Sequence, residues 1–212
     1  NGFIRNLSYE EMDFQFRYLY DEHEYIESLH YAGTGELLLN IDLVKSTFEE
    51  WKKSVQDIFI TTSVPCIKSL DCIIKLDFKR IFLSIHSFDF GIRKKLMPNS
   101  IDPSYIVDFL KNLDEEVKEE VYLAHLFING INDRDSDINQ LISISKLLKM
   151  PVYLMFYNKI SKKVKYHTDF NKFNNAISLL KKNNIEFRVS SSARKDKIGG
   201  CGTLRVNRNI LN

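Results

Sequence analysis

Two short segments hold the residue types best suited to chemistry. In Tyr31-Ala-Gly-Thr-Gly-Glu-Leu-Leu-Leu-Asn40, Glu36 stands directly behind Gly33 and Gly35. Glycines let the backbone approach a ligand closely, and a carboxylate behind them can accept hydrogen bonds from an ammonium group. Taken alone, the segment reads sooner as an ordinary strand-to-helix turn. It is not a phosphate loop, because it lacks the third glycine and the lysine. In the second segment, Ser190-Ser-Ser-Ala-Arg-Lys-Asp-Lys-Ile-Gly-Gly-Cys-Gly-Thr-Leu204, glycines flank Cys201, and Arg194, Lys195 and Lys197 are near in sequence. Neighbouring cations favour a thiolate, so a chemical role is expected for Cys201. Cys66 and Cys72 read as core or helix residues. His86, between Ser84 and Ser87, suits a structural hydrogen-bonding group better than a base. Asn158 is placed either to bond a ribose hydroxyl or to cap a loop.

These residues need elements to position them. Ser8 is a plausible cap for a helix over 9–20, followed by a strand over 25–32. Helices are expected over 41–51, 66–75, 103–113, 136–149 and 170–182, and strands over 57–62, 80–86, 121–128, 150–156 and 185–189. Strands alternating with helices argue for a parallel α/β sheet or barrel. In such folds the C-terminal ends of the strands line the ligand face. That rule selects Gly33 to Glu36, Thr62 and Ser63, Ser84 to His86, Ile128 to Asn132, and Tyr157 and Asn158. Asn132 and Asp133 are expected to shape a turn.

The 212 residues, 44% of them apolar, suffice for one globular domain over 1–212, with residues 190–212 as a cysteine-bearing loop and tail. No apolar run approaches the roughly 20 residues needed to span a bilayer, and no secretion signal is visible, so a cytoplasmic protein without a membrane partner is expected. Three scattered cysteines make no disulfide framework. The net charge of +2 hides acidic stretches over 10–27 and 114–120 and basic ones over 159–165 and 188–208. The basic stretches fit either phosphate contact or a solvated surface.

Read in order, Gly2-Phe-Ile-Arg-Asn-Leu7, the Gly33–Asn40 stretch, Thr61-Thr-Ser63, Leu83-Ser-Ile-His86, Ile92-Arg93 with Met97-Pro98, Gly130-Ile-Asn-Asp133, Asn158 and Gly200-Cys-Gly202 form a set. With it the chain resembles the radical S-adenosylmethionine enzymes that methylate adenine in ribosomal RNA, the RlmN and Cfr group. The resemblance implies a partial (β/α)6 TIM-like barrel of parallel strands, its first strand missing. It implies that Gly35 and Glu36 hold the methionyl amino group of S-adenosylmethionine. Ser63, Ser84, Ile85, His86 and Asn158 would be further cofactor contacts, with Asn158 at the ribose. Cys201 would carry the methyl group to an adenine carbon of ribosomal or transfer RNA. Lys162, Lys163, Arg194 and Lys197 are candidate contacts to RNA phosphates.

The family also binds a [4Fe-4S] cluster through C-x-x-x-C-x-x-C, which leaves one iron open for the cofactor. That triad is not in this sequence and is expected just before Asn1, on the expectation that the sequence is the C-terminal portion of an enzyme that is monomeric when complete. Unpaired sheet edges are expected to make the isolated chain marginally stable. Leu37 stands where the family has proline after Gly-x-Gly-Glu, Val64 where it has glycine, and 195–200 where it has a more acidic stretch. Alternative readings are another radical S-adenosylmethionine enzyme acting on a small molecule or peptide, and a cluster-free barrel that binds nucleotide or RNA.

Overall fold

The computed structural model describes residues 4–23, 25–33, 35–158 and 165–191. Six strands form one sheet: β1 Ser28–Tyr31, β2 Asp57–Thr62, β3 Arg80–Ser84, β4 Val121–Phe127, β5 Val152–Phe156 and β6 Phe187–Val189. Their spatial order is the chain order and every neighbouring pair is parallel. The helices are α1 Tyr9–Glu22, α2 Ile41–Trp51, α3 Ile67–Ile74, α4 Phe90–Leu96, α5 Pro103–Lys111, α6 Glu115–Glu119, α7 Asp135–Leu148 and α8 Phe170–Lys182. Parallel crossovers are right-handed, and the strand order never reverses, so the connections lie on one face, as in a barrel rather than a doubly wound sheet.

Alternation along the strands separates the two faces. Ile58 and Ile60, Ile81 and Leu83, Val121 and Leu123, and Val152 and Leu154 join Val44, Phe48, Leu70, Ile73, Leu110, Leu141 and Leu180 of the helices in one core. Full burial of each such side chain contributes about 1.5–3 kcal/mol. The residues between them line the other face, where Phe82 packs 5.3 Å from Tyr122 and 5.0 Å from Tyr153, ring centre to ring centre. The guanidinium of Arg80 lies over Phe59 and that of Arg188 over Tyr122, each at 5.7 Å.

Local signals start several of the helices. Ser8 Oγ accepts from Glu11 N at 3.3 Å, and Glu11 Oε2 accepts from Ser8 N at 2.9 Å, a reciprocal cap on α1. Asp102 accepts from Ser104 N at 2.9 Å ahead of Pro103, which opens α5. Trp51 stacks on Phe16 at 4.8 Å and on Tyr31 at 5.4 Å. The Tyr31 hydroxyl donates to Thr47 Oγ1 at 2.8 Å. These contacts fix the end of β1, from which the glycine turn departs.

Some boundaries differ from the sequence expectation. β1 is shorter than 25–32, and β3 ends at Ser84 because the chain turns left-handed at His86, with φ of 59°. α4 and α6 were not expected: at 7 and 5 residues they are too short to show a 3.6-residue pattern. Leu37–Asn40 forms a 3-10 turn capped by the Glu36 side chain. Cys66 is the exposed N-cap of α3 rather than a core or helix residue, whereas Cys72 lies within α3, as expected, and is half-buried.

Candidate functional site

The glycine turn after β1 brings Glu36 to the C-terminal end of β2. Glu36 Oε1 accepts from Leu38 N at 3.0 Å and from Thr62 Oγ1 at 2.6 Å. Oε2 accepts from Ser63 N at 2.7 Å and from Ser63 Oγ at 2.6 Å. Four donors match the four acceptor directions of a carboxylate. Gly35 has φ of 109°, a conformation that side-chain-bearing residues rarely adopt, and a Cβ there would meet no atom of the described residues within 4 Å. The turn therefore has glycine for its backbone conformation, and the Glu36 carboxylate behind it is half-buried.

Behind this edge lies Arg93, fully buried. Its Nη2 donates to Ser63 O at 2.6 Å, Nη1 to Ser84 O at 2.7 Å and Ile85 O at 2.6 Å, and Nε to Ile101 O at 3.1 Å. One guanidinium thus ties the ends of β2 and β3 to the segment before α5. No carboxylate lies within ion-pair distance of it among the described residues, and burial lowers its pKa to about 10. Sequence reasoning noted Arg93 only as part of a motif. Followed by Lys94 and Lys95, it looks like one more surface cation, and nothing local marks it as buried.

His86 stands at the end of β3 in a left-handed conformation. Its Nδ1 lies 3.2 Å from both Leu126 N, which donates to it in one tautomer of the neutral ring, and Ala124 O, to which it donates in the other. Burial, with His125 and Arg93 nearby, pushes its pKa down to about 3. Asn132, fully buried, donates through Nδ2 to His86 O at 2.6 Å and Leu126 O at 2.7 Å, and accepts from Ile128 N at 2.8 Å. His125 Nε2 lies 3.0 Å from Asn132 O, and burial pulls its pKa down to about 4. Asp133 accepts from Gly130 N at 2.8 Å and from Lys172 Nζ at 2.9 Å. Asn132 and Asp133 thus shape the turn, as expected.

The structure joins Glu36 and Ser63 directly and links Ser63 to Ser84 and Ile85 through Arg93. Ile85 is 1% exposed; its N–H donates to Ala124 O at 3.0 Å and its carbonyl is held by Arg93, so its side chain belongs to the core. Among the described residues, neither the Ser84 hydroxyl nor His86 Nε2 has a hydrogen-bond partner. Asn158 lies two residues beyond β5, half-buried, at the same end of the sheet. Cys201, Lys162, Lys163, Arg194 and Lys197 lie outside the described residues. No group of three or more histidine, cysteine, aspartate or glutamate side chains suited to a metal occurs among the described residues. None of the described helices is long and apolar enough to cross a membrane.

The sheet defines the class, an α/β fold with six parallel strands in chain order, and two solved structures share it. A radical SAM methyltransferase from Sphaerobacter thermophilus superposes with a TM-score of 0.79 at 19% identity, over 95% of this chain and 63% of that one. A domain of pyruvate-formate lyase-activating enzyme from Bacteroides vulgatus superposes with a TM-score of 0.63 at 14% identity, over 78% of this chain and 99% of that one. No family model matches the chain.

Sequence likeness narrows the class. The chain is 28% identical to the dual-specificity RNA methyltransferase RlmN of Wigglesworthia glossinidia brevipalpis, over all of this chain and 62% of that protein. It is 24% identical to a probable RlmN of Prochlorococcus marinus, over 99% of this chain and 64% of that protein. Over 68% of its length it is 30% identical to the ribosomal RNA large subunit methyltransferase Cfr of Bacillus velezensis, matching 43% of that protein. These similarities support an RlmN/Cfr-like family for the chain. The chain spans less than two thirds of the length of these relatives.

Proposed function

We propose that the chain is the cofactor-binding and methyl-carrying part of a radical S-adenosylmethionine methyltransferase that acts on an adenine carbon of RNA. The observation that carries this reading is Glu36, a half-buried carboxylate set beside the Gly35 turn and oriented by Thr62 and Ser63. The names of the relatives, RNA methyltransferases of the RlmN and Cfr kinds, support the reaction and the substrate class.

The residues present suit S-adenosylmethionine. A ligand ammonium reaching Glu36 shares the carboxylate with Ser63, whose hydroxyl proton can rotate away while the backbone N–H keeps Oε2 oriented. Along the same end of the sheet, the Ser84 hydroxyl and His86 Nε2 are free to meet a ligand's polar atoms, and Asn158 is the candidate for the ribose. With its pKa pushed down to about 3, His86 is neutral near pH 7 and meets a ligand as a neutral hydrogen-bonding ring. The bound cofactor supplies the methyl group. Cys201 is the proposed carrier, and Lys162, Lys163, Arg194 and Lys197 are proposed to meet the RNA backbone.

An iron–sulfur cluster is a different matter. The described residues of this chain contain no ligand set that fits one. The roles proposed for them are accordingly to bind, orient and carry.

The test uses the full-length protein, reconstituted anaerobically with iron and sulfide. Cleavage of S-adenosylmethionine to 5′-deoxyadenosine with a methylated Cys201 in the mass spectrum is the expected result, and Cys201→Ala should abolish RNA methylation. Cleavage without Cys201 methylation would redirect the reading to another radical enzyme. Absence of both cluster and cleavage would overturn the enzymatic reading.

A further inference from the structure

Arg93 and Glu36 are joined by a continuous line of hydrogen bonds. Arg93 Nη2 donates to Ser63 O at 2.6 Å. The same peptide group continues as Val64 N, which donates to Thr62 Oγ1 at 2.9 Å. Thr62 Oγ1 in turn donates to Glu36 Oε1 at 2.6 Å. The chain therefore runs from a buried cation, through one peptide and one hydroxyl, to a carboxylate, with every donor pointing the same way. Hydrogen bonds so aligned polarise one another, and the low dielectric of a buried site strengthens the effect.

The line passes through a strained residue. Val64 is fully buried and has φ of 54°, a left-handed conformation unfavourable for a β-branched side chain. Such strain persists only where the surroundings hold the backbone. Here Arg93 grips the carbonyl on the N-terminal side of Val64, while Thr62 grips its N–H. The resulting turn directs both Ser63 N and Ser63 Oγ at Glu36.

We infer that Arg93 is a positioning residue for Glu36: it holds the left-handed Ser63–Val64 turn and, through the Ser63–Val64 peptide and Thr62, fixes the carboxylate for the ammonium group of an amino-acid-bearing nucleoside. The choice of ligand rests on the function proposed above, whereas the relay rests on geometry alone. Arg93 touches no ligand; what the relay carries falls on the end of the ligand that Glu36 receives, while its bonds to Ser84 O and Ile85 O hold main chain, not the Ser84 hydroxyl or the His86 ring.

The experiment compares the full-length protein with its Arg93→Lys, Glu36→Gln and doubly substituted variants. Two probes are titrated by calorimetry: S-adenosylhomocysteine, which has the amino-acid end, and 5′-methylthioadenosine, which lacks it. Hydrogen exchange of the Ser63 amide is measured in parallel, with the Leu123 amide as a distant control. Lysine keeps the charge but cannot reach all four carbonyls. Arg93→Lys should weaken S-adenosylhomocysteine about fivefold or more, leave methylthioadenosine within about twofold, and have little further effect in the Glu36→Gln background. Ser63 exchange should quicken about tenfold while Leu123 is unchanged.

Equal weakening of both probes, multiplying losses in the double variant, or unchanged Ser63 exchange would overturn the inference. If the unaltered protein binds neither probe, the cofactor reading fails, and the Ser63 exchange alone decides the relay. If Arg93→Lys does not fold, Thr62→Val decides, because it cuts the relay with Arg93 in place at nearly constant volume. It should reproduce both the probe selectivity and the faster Ser63 exchange, and failure on either count would reject the relay.

Discussion

Asn132 Nδ2 donates to the carbonyl oxygen of His86 at 2.6 Å, across 46 residues of sequence. The bond holds the left-handed His86 at the end of β3, while the same Asn132 side chain closes the turn after β4. One amide therefore locks two strand ends together.

Removing that amide should be costly. Asn132→Ala leaves Ile128 N and the carbonyls of Leu126 and His86 without their partner, and the expected loss is about 2–4 kcal/mol in urea unfolding. Asn132→Asp keeps the acceptor for Ile128 N but turns an oxygen towards two carbonyls. It too should be clearly destabilised, which separates loss of the donor from loss of volume.

The glycine turn gives a purely backbone effect. Gly35→Ala adds a methyl group that meets no atom of the described residues within 4 Å, so its cost is expected to come from φ of 109°. The expected destabilisation is about 1–3 kcal/mol. Gly33→Ala, where a Cβ likewise meets no atom of the described residues within 4 Å and φ is not positive, should cost much less in the same melting experiment.

At Val64 the usual ranking of small residues should reverse. Alanine ordinarily stabilises relative to glycine by about 0.5–1 kcal/mol in regular structure. At φ of 54° glycine is the better fit, while both substitutions lose the packing of a fully buried valine. Val64→Gly should therefore be at least as stable as Val64→Ala in urea unfolding. An alanine variant clearly more stable than the glycine one would mean that the strain is not real.

The buried histidine His125 makes stability depend on pH. Its folded-state pKa of about 4 lies below the ordinary value of 6.5. The unfolded chain therefore takes up a proton on acidification before the folded chain does. Stability is full above the unfolded value and falls as pH drops from about 6.5 towards about 4, with His125 accounting for about 1–2 kcal/mol between pH ~7 and pH ~5. The shift of His86 has the same sign and adds to the slope. Replacing His125 with glutamine, which can still donate to Asn132 O, should flatten urea-derived stability over that range. An unchanged slope would show that His125 is not buried as a neutral ring.

Much of the frame was legible in the sequence because its causes are local. Ser8 ahead of a helical pattern, Pro103 at a helix start, and apolar runs such as that over 80–86 announce caps and strands within a few residues of themselves. The rule that ligand residues collect at the C-terminal ends of strands then singled out Glu36, Thr62, Ser63 and His86, and Glu36 does meet Thr62 and Ser63. The short helices α4 and α6 escaped because fewer than two helical turns cannot display a period.

The sequence by itself determined the alternating α/β order, the glycine that the turn at Gly35 requires, and the residue types available at the strand ends. Only the tertiary structure decided what those residues touch. Arg93 differs from Lys94 and Lys95 in no local way, yet the packing of α4 buries it against carbonyls contributed by Ser63, Ser84, Ile85 and Ile101. Val64 stands out in the sequence only as a departure from the glycine of the resembled family, and the structure shows that it occupies a left-handed turn. Both outcomes depend on partners brought from other strands and loops. A hydrogen bond formed across 30 residues, as between Arg93 and Ser63, leaves no trace in the local pattern of either segment.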